Sequence, residues 1–183
     1  MKIAIIGTHS TGKTTLGRML AEKLKELGYE VNYLNELARE CPFPINEATS
    51  FEAQKWILDN QFRLEEEMHS TNGFLICDRA TLDNFAYMKR VSKGLDIRSY
   101  EKKAAEHMSS YDFVFKTKKL NLEAEKDGIR SVNDEFRNEI DNLISKLLKK
   151  HKIDYFELYP TVDYEVHLEF ILKRLQLSDF CNF

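Results

Sequence analysis

The sequence predicts a three-layer α/β/α domain on a five-stranded parallel sheet, with a helical lid insertion. Short apolar runs read as continuous rather than alternating, helical periods fill the gaps between them, and a glycine-rich turn joins the first strand to the first helix. Lys2–Ile6 (KIAII) opens the chain as a strand covered on both faces. Leu16, Met19, Leu20, Leu24 and Leu27 then mark one face of a helix, and Gly28 stands where a left-handed residue ends it. Val31–Leu34 is a second, weaker strand, and a long helix follows from about 50 to 69. Phe74–Cys77 (FLIC) is the third strand and leads into a helix carrying Asp83 and Asn84. Phe113–Phe115 (FVF) is the fourth. Ser131-Val132-Asn133-Asp134 reads as a capping box before a helix with Phe136, Ile140, Leu143, Ile144, Leu147 and Leu148 on one face. Lys149, Lys150 and Lys152 complement its carboxyl end. Tyr155–Leu158 is a weaker fifth strand. Strands separated by helices imply right-handed crossovers and parallel pairing.

Composition narrows the function. The chain has 183 residues, which suits one domain over 1–183, and only 7 glycines and 3 prolines leave no linker or repeat. A net charge of −3 gives no general pull toward nucleic acid or an anionic membrane. Cys41, Cys77 and Cys181 lie far apart without a CxxC pair, which argues against disulfides and zinc and fits a reducing cytoplasm. No apolar run approaches the roughly 18 residues of a membrane span. The motif follows the first strand at once, leaving no room for a signal peptide.

That motif is Gly7-Thr8-His9-Ser10-Thr11-Gly12-Lys13-Thr14, a complete GxxxxGK[ST] between strand and helix. Gly7 and Gly12 permit backbone angles closed to side chains with a Cβ. The successive amides of Gly7 through Thr15 then form an anion nest at the positive end of the helix. Lys13 supplies an ammonium to the β- and γ-phosphates, and Thr14 a hydroxyl to Mg²⁺. His9 is a loop residue that either packs or meets solvent. The expected cofactors are ATP and Mg²⁺.

The remaining chain selects among phosphate chemistries. A GTPase needs a guanine-reading NKxD after a later strand, whereas Phe115-Lys116-Thr117-Lys118-Lys119 has neither Asn nor Asp. A motor ATPase usually ends its second acidic strand in adjacent acids; Cys77-Asp78-Arg79 offers one acid and one base. Asp78, at a carboxyl strand end, suits the Mg²⁺ shell or a base for an attacking hydroxyl. Arg79 suits a bidentate phosphoryl clamp, and the alternative is a structural Asp78–Arg79 ion pair. Asp83 and Asn84 either read ribose or base or cap their helix. Trp56, Phe62 and Met68 either line an acceptor pocket or belong to the core.

Cys77-Asp78-Arg79-Ala80-Thr81-Leu82-Asp83-Asn84-Phe85-Ala86-Tyr87 resembles the DR…AY segment of the thymidylate-kinase-like branch of P-loop kinases. The likeness is closer to the group related to the nicotinamide riboside kinase domain, an AAA-type ATP-binding domain. GTHSTGKTTL, Asn35-Glu36-Leu37-Ala38-Arg39-Glu40 and Asp127-Gly128-Ile129-Arg130-Ser131 extend it over residues 1 to about 150. The resemblance implies a P-loop NTPase fold. It implies that Glu36 activates a substrate 5′-hydroxyl and that Arg39 grips an acceptor's phosphate; both are alternatively the solvated first turn of a helix. It also implies a mobile lid in the charged stretch 121–137, NLEAEKDGIRSVNDEFR, bringing Arg130 and Arg137 onto the transferring phosphate, with Lys126 in reserve. Tyr159-Pro160-Thr161 falls where family members pass adenine.

The reading is a small cytoplasmic kinase moving the γ-phosphoryl of ATP, with Mg²⁺, onto a nucleoside- or nucleotide-like acceptor. Two rivals share its donor site: a polynucleotide 5′-kinase, and a nucleotide-dependent switch without an acceptor. No nucleic-acid or membrane partner is expected. The sequence leaves the acceptor, the choice of Glu36 or Asp78 as base, and the oligomeric state open.

Overall fold

Five parallel strands in the order β2-β3-β1-β4-β5 form the sheet. They are β1 (Lys2–Ile6), β2 (Val31–Leu34), β3 (Phe74–Asp78), β4 (Phe113–Lys116) and β5 (Phe156–Glu157). The computed structural model describes residues 1–45, 48–69, 72–119 and 134–177. Register pairs Ile3 with Ile76 and Phe113, and Ile5 with Asp78 and Phe115, so β1 is sandwiched at the centre. Every residue of β1 and β3 is buried, as the continuous apolar runs require.

The helices are α1 (Lys13–Glu26), α2 (Phe51–Met68), α3 (Thr81–Val91), α4 (Arg98–His107), α5 (Asp134–Lys150) and α6 (Tyr164–Arg174). Alternate side chains of the strands feed two cores. Ala4, Ile6, Leu75 and Cys77 pack with Leu58 of α2, Phe85 of α3, Ala104 of α4 and Ile140 of α5. Ile3, Ile5, Ile76 and Phe115 pack with Leu16 and Leu20 of α1 and Ile171 of α6. Helices α4 and α6 were not anticipated. In α4, RSYEKKAAEH, only Ala104 is buried, too narrow a stripe for periodicity to find.

Helix ends follow their local chemistry. The amides of Gly28 (φ +86°) and Tyr29 bond back to the carbonyls of Lys25 and Leu24, closing α1 with the expected glycine. Ser50 accepts from the Ala53 amide at 3.1 Å and starts α2. The capping-box residues 131–133 and the lid up to residue 133, with Lys126 and Arg130, lie outside the described residues, as does Cys181.

A buried polar knot ties the amino edge of the sheet. Glu65 of α2, fully enclosed, ion-pairs with Lys2 and meets His107 Nε2 at 2.9 Å. It also accepts from Tyr111 (2.6 Å) and Gln61 Nε2 (2.6 Å). Burial would raise the Glu65 carboxyl, but His107, Lys2 and Tyr111 outweigh it and hold the group below its ordinary range. Among the described residues, no helix is long and apolar enough to cross a membrane.

Candidate active site

The phosphate loop lies at the carboxyl end of β1, where parallel sheets gather ligands. Gly7 has φ +135° and Gly12 φ +81°, the angles for which the motif reserves glycine. A Cβ on Gly7 would stand 2.6 Å from Thr117 Oγ1 and 2.8 Å from the Thr117 carbonyl. The exit of β4 is therefore pressed against the loop. Thr117 fastens it there: its hydroxyl bonds to the Ile6 carbonyl (3.0 Å) and to Thr11 Oγ1 (2.7 Å). Thr11 in turn donates to the Thr8 carbonyl at 2.9 Å. Lys13 Nζ is folded over the loop onto the same carbonyl at 2.6 Å. Burial, then the nearby Arg79 guanidinium, lowers Lys13 to about 8. An anion in the nest would relieve that penalty.

Beside the loop, Thr14 Oγ1 donates to Asp78 Oδ2 at 2.5 Å. The other oxygen, Asp78 Oδ1, is buried with no hydrogen-bond partner. Burial, with Glu36 nearby, raises the Asp78 carboxyl. Among the described residues no group of three or more His, Cys, Asp or Glu gathers around a point. One acid and one hydroxyl fit an ion that takes its other ligands from water and phosphate, as Mg²⁺ does, and do not fit a protein cage.

Asp78 and its neighbour Arg79 turn to different partners. Arg79 adopts φ +92°, a strained angle for a residue with a side chain. Its guanidinium bonds to Glu36 Oε1 (2.7 Å), Asp83 Oδ1 (2.9 Å) and the Gly7 carbonyl (3.2 Å), and lies 4.8 Å over the Tyr87 ring. Asp83 also accepts the Gly7 amide at 3.1 Å. Neither acid caps α3, whose N-cap is Ala80. This cluster welds the exits of β2 and β3 to the phosphate loop.

The same residues wall a cavity lined by His9, Glu36, Ala38, Arg39, Ile45, Gln54, Ile57, Arg79, Asn84 and Tyr87. Arg39 stands 3.7 Å from Glu36 at the rim. His9 packs 5.1 Å from the Phe136 ring, and Tyr87 lies 3.5 Å from its Nδ1. Burial, with Arg79, Lys13 and Arg137 around it, lowers His9 to about 3, so it is neutral near pH 7. From α5, Arg137 reaches over the loop: Nη2 donates to the Ser10 carbonyl at 3.3 Å and Nη1 to Asp134 at 3.3 Å, while Nε is buried without a partner.

Of the sequence-derived candidates, Gly7 to Thr15, Glu36, Asp78, Arg79 and Arg137 thus converge, and Arg130 lies outside the described residues. Phe62 belongs to the core, with Trp56 and Met68 packed against it. Helix α2 instead turns Gln54 and Ile57 to the cavity. Tyr159 is 53% exposed. Sequence reasoning missed Thr117 as the buttress of the loop; its place just after a central strand was the available signal. It also missed Gln54 and Tyr87, which no motif marks.

No curated protein matches the sequence. Among solved structures, the chain is similar to deoxyadenosine kinase from M. mycoides with bound dATP, at 24% identity and TM-score 0.64 over 96% of this chain and 99% of that one. It is similar to thymidylate kinase from Ehrlichia chaffeensis at 19% identity and TM-score 0.67, over 96% and 98%. It is also similar to NadR protein in complex with NR, at 17% identity and TM-score 0.73, over 94% of this chain and 50% of that one. The fold is that of the P-loop nucleoside and nucleotide kinases. The family model described as AAA domain matches residues 2–165, and the chain belongs to that family.

Proposed function

We propose that this protein transfers the γ-phosphoryl group of ATP, with Mg²⁺, to a nucleoside- or nucleotide-like acceptor held in the cavity beside the phosphate loop. One observation carries the reading: His9 belongs to the loop and also lines the cavity, while Arg79 bonds to the loop carbonyl of Gly7 and walls that same cavity. Donor and acceptor sites are thereby contiguous, the arrangement that makes transfer effectively intramolecular. The names of the similar structures, two nucleoside or nucleotide kinases among them, agree with this chemistry.

Each residue then has a task. The loop amides and Lys13 hold the polyphosphate. Thr14 and Asp78 would hold Mg²⁺, which neutralises phosphate charge when bound. Glu36, at the head of the cavity, accepts a hydrogen bond from the acceptor hydroxyl and orients it; Arg79 keeps that carboxylate in place. Arg39 at the rim suits an acceptor that carries a phosphate. Arg137, with Arg130 of the lid segment 121–137, meets charge developing on the transferred group. The apolar walls and lid exclude water, without which ATP would be hydrolysed.

The test offers labelled ATP with a panel of nucleosides, nucleoside monophosphates and 5′-hydroxyl oligonucleotides to wild type, Lys13→Ala and Asp78→Asn. Label should pass to a small nucleoside or nucleotide with wild type and fall at least about a hundredfold in either variant. Label on oligonucleotides alone would replace the proposal with a polynucleotide kinase. Hydrolysis without any labelled acceptor would replace it with a switch.

A further inference from the structure

Behind the cavity wall, a chain of side-chain amides runs from Asn84 to the buried knot at the amino edge of the sheet. Its polarity has one solution. Glu65 Oε1 and the Arg79 carbonyl can only accept, and both face Gln61 Nε2, at 2.6 and 3.4 Å. The Gln61 amide nitrogen is thus committed, and its oxygen must point the other way. There it meets Asn84, whose Nδ2 donates to Gln61 Oε1 at 3.2 Å. Exchanging O and N in either amide would set acceptor against acceptor or donor against donor. Asn84 is consequently left with its carboxamide oxygen for the cavity that it lines.

The anchor of this chain is firm. Glu65 is fully buried, and Lys2, His107 and Tyr111 all supply it with protons or positive charge. A carboxylate so surrounded stays an acceptor. Gln61 sits one turn along α2 from Ile57, which lines the same cavity together with Tyr87. The Asn84 oxygen therefore lies where an apolar, planar ring would bring its edge. Gln54, also on the wall, has its nitrogen taken by Thr49 at 2.8 Å and shares the same polarity.

We infer that Asn84, oriented by Gln61 and Glu65, sets the specificity of this cavity for an acceptor whose ring edge carries a hydrogen-bond donor, an exocyclic amine in preference to an oxo group. The inference rests on the acceptor reading proposed above and names the acceptor class. An oxo group opposite Asn84 leaves two acceptors facing each other in a site closed to water, which is how a pocket rejects an otherwise isosteric ligand. Asn84 acts on the ligand directly. Gln61 and Glu65 are positioning residues.

Calorimetric titration with cytidine against uridine, and adenosine against inosine, as nucleosides and as 5′-monophosphates, tests this without requiring catalysis. Each pair exchanges one amine for one oxo group. Wild type should bind the amino member at least about tenfold tighter, the scale of one hydrogen bond lost against an unpaired acceptor. Asn84→Leu, similar in size, should bring the ratio to within about twofold. Glu65→Gln should shrink it too, because glutamine can donate to Gln61 and let the chain reverse; a merely structural residue would weaken both members equally. Gln61→Met breaks the relay without touching the Lys2 ion pair and serves if Glu65→Gln fails to fold by thermal melting. Equal affinities in wild type, a preference for the oxo member, or a ratio untouched in folded Asn84→Leu would each overturn the inference while leaving the kinase reading intact. Absence of binding by every compound would overturn the acceptor reading and this inference with it.

Discussion

Arg79 sets both Nε (2.8 Å) and Nη2 (2.7 Å) on one oxygen of Glu36, across 43 residues of sequence. Both side chains are almost wholly enclosed, at 5% and 8% exposure. A buried pair is costly to form but costlier to break, because the survivor is left as a naked charge. Asp83 remains beside Arg79 and softens the loss. Glu36→Gln should therefore cost about 2 kcal/mol, and Arg79→Met a similar amount. The double variant should lose clearly less than the sum, by denaturant unfolding of all three. Strict additivity would show that the pair is energetically idle.

Asp78 predicts a separable metal effect. Its unpartnered Oδ1 beside the Thr14 hydroxyl is the group left for a cation. Asp78→Asn removes a buried negative charge close to the phosphate nest, so metal-free ATP should bind the variant at least as well as wild type. The additional affinity conferred by Mg²⁺ should vanish. ATP titrations with and without Mg²⁺ decide it, and an Mg²⁺ increment surviving in Asp78→Asn would remove this residue from the metal site.

Gly7 predicts a loop that tolerates no side chain. Its φ of +135° and the 2.8 Å approach to the Thr117 carbonyl both exclude a Cβ. Gly7→Ala should destabilise the fold by at least about 2 kcal/mol and should weaken triphosphate binding beyond detection. Thr117→Val is the milder probe. It keeps the shape and loses the bonds to Ile6 and Thr11. Its melting temperature should move by only a few degrees, with a loss of about tenfold in nucleotide affinity. An unchanged affinity would mean that the loop holds itself.

Glu101 predicts the acid limb of stability. It joins α4 to the end of α5 through Lys150 (2.6 Å) and His151 (2.9 Å), with Lys89 at 3.6 Å. Burial pushes its carboxyl up, but the bonds from Lys150 and His151 prevail and bring it down from 4.5 to about 2. The folded value lies below the unfolded one, so on acidification the unfolded chain takes up the proton first. The stabilisation is complete above pH 4.5 and is lost between about 4.5 and 2. Glu101→Gln should thus cost roughly 1 kcal/mol at pH 7, and its difference from wild type should close over that window. A constant difference from pH 7 to pH 2 would refute the assignment.

The fold was legible because its signals are local. Lys2–Ile6 and Phe74–Cys77 announce two-sided burial within five residues, and Gly28 stops α1 with a backbone angle only its own position demands. The phosphate loop was legible for the same reason, since Gly7, Gly12, Lys13 and Thr14 answer to one anion along a single turn. Helix α4 was silent because burying Ala104 alone leaves no period to read.

The acceptor cavity was another matter. Asp78 and Arg79 are adjacent in sequence, and an ion pair between them was a fair expectation; the positive φ at Arg79 accompanies a turn to Glu36 and Asp83, while Asp78 faces Thr14. Glu36, Gln54, Arg79 and Asn84 meet only because β2, α2, β3 and α3 are stacked in one register. The sequence by itself determined the layered α/β fold and a polyphosphate cradle, because each is imposed by consecutive residues. Tertiary structure alone decided which charges neutralise one another, and which amide oxygen faces the cavity. Those outcomes depend on distances between segments far apart along the chain, which no local pattern encodes.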